Sequence, residues 1–366
     1  MPKKTSKNSE PDKVLLYSFA TLLVVGIVIL ISASISKSNA DFGNIYGYFV
    51  RQLLGIGLGV VAGYMMYKIP YKYFEKWASF IFLGALGAML LVFVPSFGVR
   101  GGGAQRWVDF GFVSFQPSEF IKIAFIIYLA AWLSAHLKEV KNSASFVPFL
   151  VLLGMLGVLL MLQPDMSTAL IIAAVAASMY FIAGAKWKDV VYMGSIGIAT
   201  VYLFVKIAPY RVSRVMALFN PQNDPLGASY QLNQMLIAVG AGQIWGAGPF
   251  QGTQKDLIPL VMNDAIYAAW AEETGFIGAV ALVLIFLVIA WRGFSIAENS
   301  KSNFAKFTAL GITTWIFIQA FVNMGAIIGV LPITGVTLPL ISYGGSSMVA
   351  TLMGVGLLLQ ISKEAT

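Results

Sequence analysis

Apolar runs of about 20 residues, separated by short polar segments, follow one another through almost the whole chain. Runs of this length are typical of helices that cross a membrane. The pattern predicts ten spans, at residues 14–36, 48–68, 76–95, 118–137, 146–162, 166–183, 188–208, 265–290, 305–331 and 344–361. The predicted fold class is therefore all-α: a polytopic membrane protein with about ten transmembrane helices and a large outer loop between helices 7 and 8.

The composition supports this class, because 58% of the 366 residues are hydrophobic and only 11% are charged. The chain has no cysteine, which excludes disulfides and thiolate chemistry, and its single His136 excludes a multi-histidine metal site. The first apolar run is too long for the core of a cleavable signal peptide. We therefore expect a cytoplasmic N-terminal tail at residues 1–13, followed by one membrane domain at residues 14–362.

The distribution of lysine and arginine predicts the orientation in the membrane, because short cytoplasmic loops are enriched in these residues. With the N-terminus inside, every inside segment carries at least one of them, and most of the 24 basic residues lie there. We predict that both termini face the cytoplasm and that the protein lies in the cytoplasmic (inner) membrane. The net charge of +8 then reflects membrane topology and not a nucleic-acid partner.

Two predicted outer loops are long, at residues 95–119 and 209–264. The second contains "ASYQLNQMLIAVG", a helical pattern too short to span, which suits an interfacial or re-entrant segment. Loops of more than about 15 residues in a compact domain are usually functional or disordered. Because this loop is rich in glycine and aromatic residues, a functional role is the prediction.

Four predicted helices start at the outer face with a polar signature: "FQPSEF", "LQPDMST", "MNDAIY" and "SYGGSS". Simple capping is one interpretation, since Asp165 and Asp264 are suitable N-cap residues. The set favours a second one, because helix N-termini together with arginines form anion sites. We expect an outward-facing site for a phosphorylated lipid or a similar ligand. Its candidate binding residues include Arg106, Asp165, Arg211, Arg214, Ser346 and Ser347.

Acidic side chains inside the membrane are the candidates for chemistry, because burying a charge there costs about 2.5–3.5 kcal/mol. Glu119 and Lys122 are three residues apart on one helix face and can pair, as a structural ion pair or as part of a site. Glu272 and Glu273 are adjacent, so we expect them to point in different directions and to organise the helix behind Asp264. Asp264 lies at the helix mouth, where a polar substrate can reach it.

One accessible carboxylate can act as a general base that takes the proton from an attacking hydroxyl. Glycosyl transfer from a lipid diphosphate needs such a base, together with positive groups for the leaving diphosphate. It often uses a divalent cation as well. If a metal such as Mg²⁺ or Mn²⁺ takes part, we expect a hard cation on carboxylate and phosphate oxygens.

The motifs together resemble those of the SEDS family (shape, elongation, division and sporulation) of peptidoglycan glycosyltransferases. The resemblance covers nearly the whole chain. It is carried by "GAQRWVDFGFVSFQPSEFIKIA", "LQPDMSTAL", "NPQNDPLGASYQLNQMLIAVGAGQIWGAG", "AEETGFIG" and "NMGAIIGVLPITGVTLPLISYGGSS". The stretches "TLPLISYGGSS" and "QPDMSTAL" favour the FtsW-like division branch of the family over the RodA-like elongation branch.

The resemblance implies roles for single residues. Asp264 falls where the family has its essential catalytic aspartate, although the usual "PEAHTDFIF" reads "PLVMNDAIY" here. Glu119 and Lys122 match the family's buried pair beside the cavity. Arg106 matches the second arginine of "ARRW", and Gln105 stands in place of the first.

The resemblance also implies a reaction and a partner. The family joins lipid II molecules into glycan strands outside the membrane, and undecaprenyl diphosphate leaves. A class B penicillin-binding protein crosslinks the strands, and further division proteins are expected partners. The chain itself has no S-x-x-K motif combined with K-T-G. Two alternatives are a lipid II flippase and a scaffold that only activates the penicillin-binding protein. A single acid at the outer mouth favours the transferase.

Overall fold

The computed structural model describes residues 10–101, 104–111, 114–207, 209–219 and 228–365. Most of the predicted tail lies outside these ranges, so the boundary between tail and membrane domain stays a prediction. The described helices are α1 (Lys13–Phe42), α2 (Gly47–Lys68), α3 (Tyr71–Leu91), α4 (Pro117–Ala135), α5 (Leu137–Lys141), α6 (Phe146–Leu162), α7 (Met166–Ile182), α8 (Trp187–Ile207), α9 (Pro209–Phe219), α10 (Ala228–Ala241), α11 (Ile266–Asn299), α12 (Asn303–Ile327) and α13 (Gly345–Ala365).

Each predicted span coincides with one of the long helices α1–α4, α6–α8 and α11–α13. Seven of the described helices are long and apolar enough to cross a membrane, namely α1–α4 and α11–α13. Two more, α6 and α7, are apolar but have 17 residues each. The polytopic membrane fold is confirmed, while the count of ten spans stays a prediction.

The centre of the bundle is formed by α4, α12 and α13, which are the most buried of the candidate spans. Polar side chains lie inside these helices, among them Thr308, Gln319 and Asn323 of α12, all of which are buried. Lipid offers such groups no hydrogen bonds, so they face the protein interior. The outward surfaces of α2 and α3 carry the large exposed apolar side chains instead.

The end of the bundle opposite Asp264 is held by a buried carboxylate. Asp12 caps α1 by accepting a hydrogen bond from the Leu15 N–H at 2.8 Å. The same side chain accepts from Arg292 Nε of α11 at 3.0 Å, and the Asp12 N–H donates to Ser362 Oγ of α13 at 3.0 Å. One residue therefore ties α1, α11 and α13 together.

The loop between α3 and α4 holds a small antiparallel sheet that the all-α prediction does not include. Its strands are β1 (Gly98–Gly101), β2 (Ala104–Asp109) and β3 (Ser114–Phe115), in the order β1-β2-β3. Strands of two to six residues are too short for a visible period-2 pattern, which is why the glycine-rich sequence looked like an irregular loop.

The long loop before α11 is also more regular than predicted. Helix α10 begins and ends close to the predicted helical pattern, and α9 is an additional short helix before it. A 3-10 helix, Gln254–Leu257, follows. The loop then runs to Asp264, directly before α11.

Helix α11 is broken at Gly275, whose φ of 66° and ψ of −166° are not helical. The loop after α10 fills the break with backbone hydrogen bonds. The Phe276 N–H donates to the Gln243 carbonyl at 2.8 Å, and the Ala247 N–H donates to the Glu272 carbonyl at 2.9 Å. These bonds replace those that the helix loses, which the low polarity of a membrane requires.

We expect Gly275→Ala to destabilise the protein by about 1–3 kcal/mol, because a side chain is strained at this positive φ. Its Cβ would also lie 2.3 Å from the Gly246 nitrogen. The matched control is Gly84→Ala in α3, where a Cβ meets nothing within 4 Å. Thermal unfolding in detergent should show a lower midpoint for Gly275→Ala alone. Equal midpoints for both variants would contradict the packing described here.

Candidate active site

The connection between α12 and α13 contains a segment without regular structure that reaches into the bundle, and we call residues 333–337 the crossing segment. Side chains from three helices donate to its backbone carbonyls. Ser167 Oγ of α7 donates to Thr334 O at 2.6 Å, and Arg214 Nη1 of α9 donates to Ile333 O at 3.4 Å. From α12, Gln319 Nε2 donates to Thr337 O at 2.9 Å. The segment is therefore the common contact of the helices around it.

Asp264 lies beside the crossing segment, two residues before α11 begins. The capping interpretation does not hold for Asp264, because the N-cap is Ala265 and no side chain bonds the first turn. The Asp264 backbone carbonyl accepts from Asn323 Nδ2 at 2.7 Å. Its side chain is half-buried, and among the described residues its Oδ1 has no hydrogen-bond partner. The carboxylate is thus available for chemistry and not used for capping.

Burial raises the pKa of the Asp264 carboxyl to about 6 from an ordinary 3.8. Its own backbone N–H, the positive charge of Arg214 and a hydrogen bond from Gln231 oppose the rise less strongly. A carboxylate with a pKa near the working pH is a better proton acceptor than an ordinary one. It is ionised above pH 6 and loses its ability to take a proton as the pH falls through that value.

A cavity of about 10 Å³ adjoins Asp264, lined also by Gln231, Asn323 and Gly335. Asn323 Oδ1, like Asp264 Oδ1, is buried without a hydrogen-bond partner among the described residues. A space of this size holds one water-sized group. Two residues that line a space for a single hydroxyl or water therefore each have an acceptor oxygen without a described partner.

The predicted pair of Glu119 and Lys122 forms, with Lys122 Nζ 2.9 Å from Glu119 Oε2. Both side chains are buried. Lys122 Nζ also donates to Gln319 Oε1 at 2.9 Å and lies 5.0 Å from the centre of the Trp315 ring. Through Gln319 the pair is linked to the crossing segment, although it does not touch Asp264.

The starts of α4, α7 and α13 meet near the crossing segment. Asp165 caps α7 as predicted, accepting from the Thr168 N–H at 3.2 Å, and it also accepts from Ser118 Oγ of α4 at 3.0 Å. Ser346 Oγ accepts from the Gln116 N–H at 3.0 Å. Ser347 Oγ of α13 lies 2.9 Å from Thr337 Oγ1. The predicted gathering of helix N-termini is therefore present at this end of the bundle.

The three arginines differ in their surroundings. Arg106 Nε donates to Gln163 O at 3.1 Å, and its guanidinium also contacts Pro164 O, so it closes the end of α6. Arg214 lies close enough to Asp264 for its positive charge to lower the pKa of the Asp264 carboxyl. Arg211 belongs to α9, but its side chain lies outside the described part of the structure.

Glu272 and Glu273 have a structural role, as predicted, and Glu273 does so through an ion pair. Both side chains hold the loop in front of the helix. Glu272 accepts from the backbone N–H groups of Thr253 and Lys255, at 2.7 and 2.9 Å. Glu273 pairs with the Lys255 side chain and accepts from the Phe250 N–H at 3.1 Å. The loop bends around the helix, so the two side chains, which leave the helix in different directions, both reach residues 250–255.

Sequence reasoning missed the two amides of α12, Gln319 and Asn323. They are four residues apart and therefore share a helix face. Their polarity in the middle of an apolar helix was the available signal. Their partners are backbone carbonyls of an irregular segment, which no sequence pattern places.

Fold and site together define a class: a polytopic α-helical membrane protein with one half-buried carboxylate at the mouth of its bundle, among helix N-termini. The model of the cell cycle protein family FtsW, RodA and SpoVE matches residues 12–366. The chain belongs to this family, which confirms the resemblance drawn from its motifs.

Two curated relatives match over nearly their full length. Stage V sporulation protein E of Bacillus subtilis (strain 168) is 37% identical, covering 98% of this chain and 99% of the relative. The probable peptidoglycan glycosyltransferase FtsW of Hydrogenovibrio crunogenus is 38% identical, covering 96% and 92%. These similarities to FtsW and SpoVE agree with the expected division-type branch.

Two solved structures share the fold. One is a chain from a study of the structural coordination of polymerization and crosslinking by a peptidoglycan synthase complex. It has a TM-score of 0.79 and 27% identity, covering 96% of this chain and 97% of its own. The other is the rod shape determining protein RodA of Thermus thermophilus, with a TM-score of 0.71, 24% identity and 96% of each chain covered.

We predict that Lys122→Met destabilises the protein by about 3–5 kcal/mol, because it leaves the buried Glu119 carboxylate without its cation. The double variant Glu119→Gln, Lys122→Met should recover a large part of that loss, because no charge then remains buried. Thermal unfolding of the purified protein in detergent measures both effects. If the single variant is as stable as the wild type, Lys122 does not compensate the charge of the buried Glu119 carboxylate.

Proposed function

We propose that this protein is a peptidoglycan glycosyltransferase that polymerises lipid II into glycan strands. The observation that carries the proposal is the Asp264 carboxylate at the bundle mouth, with one oxygen that has no hydrogen-bond partner among the described residues. Relatives of the chain are named probable peptidoglycan glycosyltransferase FtsW, which supports it. We propose that this activity serves septal wall synthesis in cell division, which the description of the family as a cell cycle protein supports.

In the proposed reaction the 4-hydroxyl of the acceptor's GlcNAc attacks C1 of the donor's MurNAc. Asp264 takes the hydroxyl proton as the new C–O bond forms. The bond between C1 and the diphosphate oxygen breaks, and undecaprenyl diphosphate leaves with the electron pair. Attack from the opposite side inverts C1, so the new linkage is β-1,4.

The leaving diphosphate needs positive partners near Asp264. Arg214 is a described candidate, because its positive charge acts on the Asp264 carboxylate. The N-termini of α4, α7 and α13 add the positive ends of their dipoles. We propose that Arg106 and Arg211 contribute to the same anion site, with Asp165, Ser346 and Ser347 shaping its wall and the Glu119–Lys122 pair supporting it.

A divalent cation, Mg²⁺ or Mn²⁺, belongs to the proposal. The described residues hold no cluster of three or more His, Cys, Asp or Glu side chains that could bind it alone. The ligands of a hard cation would therefore come mainly from the oxygen atoms of the diphosphate and of water. Such an ion would neutralise charge on the leaving group.

We further propose that the protein lies in the cytoplasmic membrane with both termini in the cytoplasm and Asp264 at the outer face. The excess of lysine and arginine in the short loops at the opposite end supports this orientation. A class B penicillin-binding protein is the proposed partner. The likeness to a chain of a peptidoglycan synthase complex that couples polymerization with crosslinking supports it.

The test is polymerisation of purified lipid II by the protein in liposomes together with its penicillin-binding partner. Asp264→Asn should lower the rate of glycan formation about 10²–10⁴-fold, the usual contribution of a general base. The matched control is Asp256→Asn in the same loop, where the exposed carboxylate accepts from Ser36 Oγ at 2.9 Å. This control should keep most of the activity.

Each other outcome would contradict a stated part of the proposal. Equal glycan formation by wild type and Asp264→Asn would remove Asp264 from the mechanism. No glycan from any folded variant, but movement of lipid II between leaflets, would identify a flippase. Glycan formed only by the partner would leave this chain as a scaffold.

A further inference from the structure

The two buried amides of α12, Gln319 and Asn323, are not used by the mechanism above. They lie one turn apart and are 0% and 2% exposed. Gln319 joins the Lys122 ammonium to Thr337, whereas Asn323 reaches Asp264 itself. Asn323 is therefore the amide that contacts the residue with the reacting carboxylate.

Asn323 Nδ2 donates both of its hydrogens to backbone carbonyls. One bond goes to Asp264 O at 2.7 Å, and the other goes to Val336 O at 2.6 Å. The first carbonyl belongs to the residue before the α11 cap, and the second belongs to the crossing segment. One side chain thus fixes the distance between these two backbones.

The bridge made by Asn323 determines which groups lie next to the Asp264 carboxylate. Next to Val336 in the crossing segment, Gly335 packs against the carboxylate, so that a Cβ there would lie 3.7 Å from Asp264 Oδ2. The other oxygen, Oδ1, has no hydrogen-bond partner among the described residues, and Asp264 and Asn323 both line the small cavity. If the bridge is lost, the crossing segment can move away and Oδ1 loses its defined position.

Only asparagine supplies this contact from its place on α12. The bridge needs two N–H donors on a short side chain, which the asparagine amide provides. Serine has a single donor, an ionised aspartate has none, and alanine leaves both carbonyls unpaired. A buried carbonyl without a donor is costly, so the backbones would rearrange.

We propose that Asn323 is a positioning residue for the reaction, which holds Asp264 through its backbone carbonyl so that Oδ1 faces the acceptor hydroxyl. The proposal rests on the proposed function of Asp264. It predicts a change in the pH dependence of polymerisation, because loss of the bridge would let the crossing segment move off the carboxylate and expose the carboxylate to water.

The groups that face Asp264 from the surrounding elements are few. Arg214 of α9 is the charged side chain that acts on it among the described residues. Gln231 of α10 and Asn323 of α12 are neutral, and the crossing segment has no titratable side chain. Burial is the main cause of the raised pKa of Asp264, so admitting water should return that pKa towards 3.8.

The experiment measures kcat, KM and the pH dependence of lipid II polymerisation by the complex. In the wild type, activity should fall as the pH drops through about 6, because protonated Asp264 cannot accept a proton. Asn323→Ala should lower kcat about 10–100-fold, the effect of a misplaced catalytic group, with little change in KM. The acid limb of its pH profile should move to lower pH.

Asn323→Ser keeps one donor and should lie between alanine and wild type in both readouts. The control is Gln319→Met, which removes a similar buried amide of the same helix without touching Asp264. It should lower thermal stability and leave the acid limb near pH 6. Should Asn323→Ala fail to fold, the serine variant carries the same test with smaller changes.

Two results would overturn the proposal. One is wild-type kcat and an unchanged acid limb in folded Asn323→Ala or Asn323→Ser. The other is a loss of kcat in which the acid limb stays in place, as in Gln319→Met, since that shows a general structural role. Full activity of Asp264→Asn would contradict the role proposed for Asp264 itself. The Asp264→Asn measurement therefore distinguishes failure of the proposed function from failure of the role proposed for Asn323.

Discussion

The structure depends on how the crossing segment satisfies its backbone. A segment without helix or sheet hydrogen bonds is tolerated within a membrane bundle only where protein groups supply its partners. Here the carbonyls of residues 333–337 accept from Ser167, Arg214, Gln319 and Asn323, on three different helices. The same bonds that make the irregular segment possible also gather α7, α9 and α12 around Asp264. The hydrogen bonds that satisfy this backbone therefore also assemble the site.

The break at Gly275 follows the same rule on the other side of Asp264. The loop after α10 supplies the hydrogen bonds that α11 lacks there, and Glu272 and Glu273 hold the next part of that loop by its N–H groups. Both irregular segments of this region are therefore satisfied by side chains or backbone from elsewhere. One oxygen of the Asp264 carboxylate, Oδ1, has no hydrogen-bond partner among the described residues, which leaves it available for proton transfer.

The sequence predicted the features that depend on composition and spacing. Apolar runs placed the ten long helices, and the spacing of Glu119 and Lys122 predicted their ion pair. The scarcity of acids drew attention to Asp264. Features that depend on tertiary partners could not be predicted. The strands β1 to β3 are too short to show a period, and a capping role for Asp264 was as compatible with its spacing as the observed one. The bridge made by Asn323 requires knowing where residues 336 and 264 meet.

The fold holds Asp264 as a base whose proton affinity is raised by burial. This is tested by an infrared titration of the carboxylic acid C=O band in the complete protein, taken as the difference between wild type and Asp264→Asn. We expect a band that disappears as the pH rises through about 6. A midpoint near the ordinary 3.8 would contradict it, because the carboxylate would then be an ordinary solvated acid at the protein surface.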